Sequence, residues 1–177
     1  MKKLKFLSIA MMLVLGFSSC SEDGPSMGDI QENLEGSWFC VYAERSCSVE
    51  GKYSCSWDFD EQTRPSEDSD GDLWYSMKLI VEATDDTERF YITSYYYNGN
   101  WSLYEMFDCI NRADYISIAE DNKTIFSGDY GEDYNSTIYI EKLTKNELVI
   151  VEKHTEKGEE SHIDKNVYKF RRIVEED

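Results

Sequence analysis

From Leu34 onward, apolar and polar residues alternate in short runs broken by turn residues, the period-two signature of half-buried strands. Met77, Leu79 and Val81 fall on one face of such a run, with Lys78 and Glu82 on the other. Ile138 and Ile140 oppose Tyr139 and Glu141, and Tyr168, Phe170 and Arg172 oppose Lys169 and Arg171. The pattern predicts strands over Gly36–Ala43, Tyr53–Phe59, Leu73–Ala83, Arg89–Tyr97, Trp101–Phe107, Tyr115–Ala119, Thr124–Ser127, Thr137–Leu143, Leu148–His154 and Val167–Ile173. No amphipathic stretch is long enough for a helix, and none is expected before Gly36. Asn98-Gly99 and Thr144-Lys145-Asn146-Glu147 read as tight hairpin links. Short connections between successive strands imply an all-β fold, an antiparallel up-and-down barrel whose closure removes exposed strand edges.

The first 33 residues follow a different pattern. Lys2, Lys3 and Lys5 precede an apolar run of about twelve residues, Phe6 to Phe17. That run is shorter than the roughly 20 residues that span a bilayer core. A basic start, a short apolar run and small residues after it read as a secretory signal over 1–19. Phe17-Ser18-Ser19-Cys20 resembles the lipobox of bacterial lipoproteins. That resemblance implies cleavage before Cys20 and acylation of its thiol, and several acyl chains on one residue give stable anchoring. Ser21-Glu22-Asp23 resembles the short acidic export signal of lipoproteins in gut Gram-negative bacteria. It implies an outer-membrane protein facing the cell surface, the periplasmic face being the alternative. Residues 20–33 are polar after the cysteine, carry Gly24, Pro25 and Gly28, and read as a flexible tether before a domain spanning 34–177.

Leu34-Glu35-Gly36-Ser37-Trp38 resembles the Gly-x-Trp opening strand of lipocalin and calycin barrels. Residues 140–150 and Tyr168-Lys169-Phe170-Arg171-Arg172 resemble the last strands of bacterial lipocalin-like lipoprotein domains. The resemblance implies that Trp38 sits at the closed end of the barrel with an Arg from the final strand across it. Arg172 is the assigned partner and Arg171 the alternative, because parity can slip by one residue. Their role would be structural, a cation–π contact.

Composition narrows the functional classes. The chain of 177 residues carries 36 acidic against 18 basic side chains, a formal net charge of −18. A field of that sign repels nucleic-acid phosphates, so no nucleic-acid partner is expected. Cys40, Cys47, Cys55 and Cys109 form an even set in an oxidising compartment, which reads as two disulfides. Three pairings are possible, with Cys47–Cys55 across a turn and Cys40–Cys109 as the longer closure favoured. No C-x-x-C spacing occurs and His154 and His162 are remote from the cysteines in sequence, so no metal is expected. Glu67-Asp68-Ser69-Asp70-Gly71-Asp72 departs from the spacing of a calcium-binding loop and reads as a solvated acidic turn.

No nucleophile elbow, H-E-x-x-H or phosphate-binding glycine loop is present, and the sequence is read as non-catalytic, without a cofactor. The densest aromatic cluster, Tyr95, Tyr96, Tyr97, Trp101 and Tyr104, surrounds the Asn98-Gly99 turn. Tyr95, Tyr97, Trp101 and Tyr104 are the candidate ligand-binding residues, as aromatics at a barrel mouth that would stack on a small apolar or amphipathic molecule. Alternatively, the aromatics only stabilise the hairpin. The leading expectation is therefore a membrane-anchored barrel binding such a molecule. The competing one is a surface module that holds a protein or glycan partner.

Overall fold

The computed structural model describes residues 25–49, 54–59, 66–67, 73–74, 76–85, 89–104, 107, 116–121, 123–130 and 132–174. The signal segment 1–19, Cys20, Cys109 and residues 68–72 of the acidic turn lie outside them. Helix α1 (Met27–Asn33) is followed by strands β1 (Gly36–Cys47), β2 (Ser54–Asp58), β3 (Ser66–Glu67), β4 (Leu73–Trp74), β5 (Ser76–Ala83) and β6 (Arg89–Tyr97). Then come β7 (Trp101–Tyr104), β8 (Ile116–Ser117), β9 (Thr124–Tyr130), β10 (Tyr134–Leu143), β11 (Glu147–Glu156) and β12 (Glu159–Arg172).

Ten of these strands form one antiparallel sheet, eight of them in the order β7-β6-β5-β1-β12-β11-β10-β9, with β2 on β1 and β8 on β6 beside that path. The first long strand pairs with the last, from Trp38↔Arg172 to Cys47↔Asp164. The other edge of β1 is shared: β5 covers Gly36–Phe39, and β2 covers Tyr42–Ser46. β8 pairs with β6 and leads through a turn, in which Ala119 N–H donates to the Thr124 carbonyl, into β9 at the far end of the sheet. The two ends of the sheet are thus joined through β8, which curls it into a barrel. The fold is an all-β, up-and-down antiparallel barrel of the lipocalin-like type. A bulge between Cys40 and Tyr42 adds one residue to β1 and switches its inward parity from even to odd numbers.

Residues 27–33, read above as tether, are helical. Ser26 and Asp29 form a capping box, each side chain bonding the other's backbone N–H. The Asp29 carboxyl is held below its ordinary range by the Ser26 hydroxyl and then by the Ser26 amide. Ile30 and Leu34, four residues apart, are fully buried and join the barrel core. Seven residues are too few to show a helical period, so the sequence pattern missed α1. No described helix is long and apolar enough to cross a membrane.

Register defines the interior as stacked layers. At the α1 end lie Trp38, Leu79 and Ser94, then Cys40, Leu148 and Phe170, then Ala43, Ile140, Ile150 and Tyr168. All are buried and, Ser94 apart, belong to one core cluster. Beyond Tyr168 the inward residues change character.

Candidate functional site

The next layers place Arg45, Asn166 and Glu152 across β1, β12 and β11, and then Cys47, Asp164, His154 and Ser136 across β1, β12, β11 and β10. His162 follows two residues before Asp164 on β12, and its ring meets Tyr134 of β10 edge-on, with centroids 6.4 Å apart. Along β1, β12, β11 and β10 the inward side is therefore apolar toward α1 and, Ile138 apart, polar and titratable toward the other end.

The polar half is tightly tied together. Glu152, 4% exposed, accepts a hydrogen bond from Asn166 Nδ2 at 3.0 Å and lies 3.5 Å from His154 Nε2. His162, 8% exposed, faces the Glu156 carboxylate with Nδ1. Its other nitrogen, Nε2, lies 3.8 Å from Asp164 Oδ1. His162 Nε2, Asp164 Oδ1 and Asn166 Oδ1 are buried and make no hydrogen bond. Three buried polar atoms without partners in one place are unusual, because each costs about 1–3 kcal/mol. All three are acceptors when Nδ1 of His162 carries the proton it shares with Glu156.

β1 and β12 stay paired beyond Cys47. Ser48 N–H donates to the Ile163 carbonyl at 2.9 Å, Ile163 N–H donates to Ser48 Oγ at 2.8 Å, and Ser48 Oγ donates to the Ser161 carbonyl at 2.5 Å. This clasp brings the Cys47 thiol beside His162 and Asp164, with one ligand-type atom of each within 4.8 Å of the others. Glu156, Glu159 and His162 make a second such group, built partly on an exposed carboxylate.

The cysteines are placed otherwise than the sequence suggested. Cys40 and Cys47 form no disulfide. The β1–β2 register sets Cys55 opposite Arg45, two residues out of step with Cys47. Diagonal neighbours are about 7–8 Å apart, farther than a disulfide allows. Cys40 is buried in the apolar half, where its Sγ donates to the Tyr42 carbonyl at 3.3 Å, and burial pushes its thiol pKa up.

Tyr95, Tyr97 and Trp101 do not line the interior. Leu79↔Ser94 is an inward pair, so Tyr95, Tyr97 and their partners Leu103 and Trp101 point outward. There Trp101 stacks edge-on with Phe39 at 6.3 Å and lies 5.4 Å from Tyr97, while Lys78 Nζ sits over Tyr95 at 5.3 Å and Trp101 at 5.2 Å. Tyr104 is paired with Ser94 across β6 and β7. The turn places aromatics on both faces, and parity alone separates them.

Trp38 and Arg172 close the opposite end. The guanidinium lies 4.1 Å from the Trp38 ring and donates to the carbonyls of Lys145, Glu35 and Asn33. Trp38 Nε1 donates to the Leu34 carbonyl at 3.0 Å. Burial lowers the Arg172 pKa, and an arginine stays charged throughout.

The polar half escaped the sequence pattern because apolar alternation ends there. Predicted strands stopped at His154 and began again at Val167, whereas β11 runs to Glu156 and β12 starts at Glu159. Carrying the parity of Leu148 and Ile150 forward to Glu152 and His154, and that of Tyr168 back to Asn166, Asp164 and His162, would have found the site.

No protein-family model and no curated protein matches the chain. Among solved structures, it is similar to the S-type phycobiliprotein lyase CPES from Guillardia theta, at 10% identity and a TM-score of 0.43 over 86% of this chain and 95% of that one. It is also similar to a protein of unknown function from the DUF3598 family of Nostoc punctiforme, at 9% identity and a TM-score of 0.39, over 90% of this chain. This chain spans 53% of that second protein. One of the two is described as a lyase, which stands against the expectation of a non-catalytic protein. That expectation rested on missing contiguous motifs, which say nothing of groups converging from separate strands.

Proposed function

We propose that the chain is a lipoprotein anchored through Cys20 in the outer membrane, facing the cell surface, whose barrel takes a small amphipathic molecule at its polar end. The observation that carries this reading is the set of buried acceptors without partners, His162 Nε2, Asp164 Oδ1 and Asn166 Oδ1. A ligand group that brings N–H donors or positive charge would relieve their desolvation cost. The apolar half is filled by its own core cluster, so the ligand's apolar part would lie toward the rim. Mass spectrometry of small molecules released from the natively purified chain tests the proposal. The expected result is an amine- or amide-bearing compound whose recovery falls with Glu152→Gln and Asn166→Leu. A wild-type protein that releases no such compound, and that Asn166→Leu simply stabilises, would count against it.

A second reading has support on the outer face. Trp101 and Leu103 are exposed beside Tyr95, Tyr97 and Lys78, which suits a glycan or protein surface. Loss of cell-surface partner crosslinking on Trp101→Ala, with the released compound unchanged, would favour it.

A further inference from the structure

We propose that Cys47, His162 and Asp164 form a site for a divalent transition-metal ion of the zinc class at the polar end of the barrel. The inference rests on reading that end as a binding site and adds the chemistry of one occupant. The three side chains offer a thiolate sulfur, an imidazole nitrogen and a carboxylate oxygen, all within 4.8 Å of one another. A soft and a borderline donor beside one oxygen suit zinc or cobalt, whereas calcium and magnesium take oxygen ligands.

His162 supplies the strongest evidence. It is more than nine-tenths buried, and the Glu156 carboxylate faces Nδ1. With its proton on Nδ1, toward that carboxylate, His162 presents the Nε2 lone pair 3.8 Å from Asp164 Oδ1. Neither atom makes a hydrogen bond. In that tautomer two buried lone pairs lie close together, and a cation bound between them would satisfy both. A separation of 3.8 Å is too long for a direct hydrogen bond. Two metal–ligand bonds of about 2.0–2.2 Å meeting at a tetrahedral angle hold their ligand atoms roughly 3.4 Å apart. A histidine whose outer N–H is held by a carboxylate is also the arrangement that orients metal-bound imidazoles.

The Ser48 clasp between β1 and β12 fixes Cys47 beside this pair. On binding, the Cys47 thiol forms a bond to the metal and releases its proton to solvent, so affinity rises with pH. Three protein ligands leave one position for water or a small molecule. The second group, Glu156, Glu159 and His162, has no thiol and makes a distinguishable alternative.

Titration of the full chain, with its thiols reduced, by Co(II) and then Zn(II) tests the proposal. Expected are one equivalent of bound cobalt, a thiolate-to-cobalt charge-transfer band with tetrahedral visible bands, and displacement by zinc. Cys47→Ser removes the charge-transfer band, Asp164→Asn and His162→Gln weaken binding about tenfold or more, and Glu156→Gln weakens it about 10–100-fold. The β-sheet circular dichroism of each variant serves as the folding check. Absence of cobalt uptake by the reduced wild type, or uptake unchanged by Cys47→Ser, overturns the site. Such a failure leaves the released-compound experiment standing, because that readout depends on Glu152 and Asn166, which bind no metal here.

Discussion

Arg172 reaches the backbone of residues on both sides of the Trp38 strand, and only a glycine at position 36 lets it through. Gly36 has φ +132°, and a Cβ there would collide with the Arg172 guanidinium. Gly36→Ala is therefore expected to cost on the order of 1–3 kcal/mol from backbone strain alone, with a further loss as the guanidinium is displaced. Chemical denaturation measures it, and a midpoint equal to wild type would remove glycine's special role. Cys40 illustrates the opposite case, a titratable group kept neutral. An ordinary thiol ionises near 9.0, and the buried Cys40 thiol ionises well above that. The unfolded chain therefore loses this proton first as pH rises. The contribution to stability is complete below about pH 9 and fades above it. Cys40→Ala should flatten the alkaline limb of the stability profile. An alkaline limb as steep in the variant as in wild type would assign the loss to other groups.

At the scale of elements, α1 is a plug whose two core residues and cap are all local in sequence. Ile30 and Leu34 seat it, and the carbonyls of Asn33, Leu34 and Glu35 receive bonds from Arg172 and Trp38. Ile30→Ala is expected to destabilise the barrel by about 2–5 kcal/mol, whereas Ser26→Ala removes only a cap, about 0.5–2 kcal/mol. Thermal melts of both variants check the ranking, and equal losses would show that the plug does not couple to the core. The strands were the most legible elements. The Arg89–Tyr97 reading has the bounds of β6, because β-branched and aromatic residues fill the segment and a glycine turn ends it. Strand ends in the polar half were not legible, since inward Glu152, His154, Asp164 and Asn166 look like solvent-facing residues when only hydrophobicity is counted.

At the scale of the whole molecule, the barrel separates a packed apolar half, plugged by α1, from a half rich in buried acid, amide and imidazole groups. Anchoring through Cys20 would hold the plugged end nearer the membrane in sequence, since α1 begins seven residues after it. Cys20→Ala is expected to move the chain from the membrane to the soluble fraction without altering its β-sheet spectrum. Retention in the membrane with unchanged mass would refute the anchor. The sequence by itself determined the strand pattern, the hairpin turns and the all-β barrel, because period-two burial and turn chemistry are local properties of the chain. It could not determine which alternate residues face inward beyond the bulge after Cys40, or that Cys47 lies beside His162 and Asp164. Those depend on register between strands more than a hundred residues apart, where a single inserted residue exchanges the two faces. Only the closed sheet decided that the tyrosines around the Asn98-Gly99 turn divide between its faces and that the buried polar groups converge.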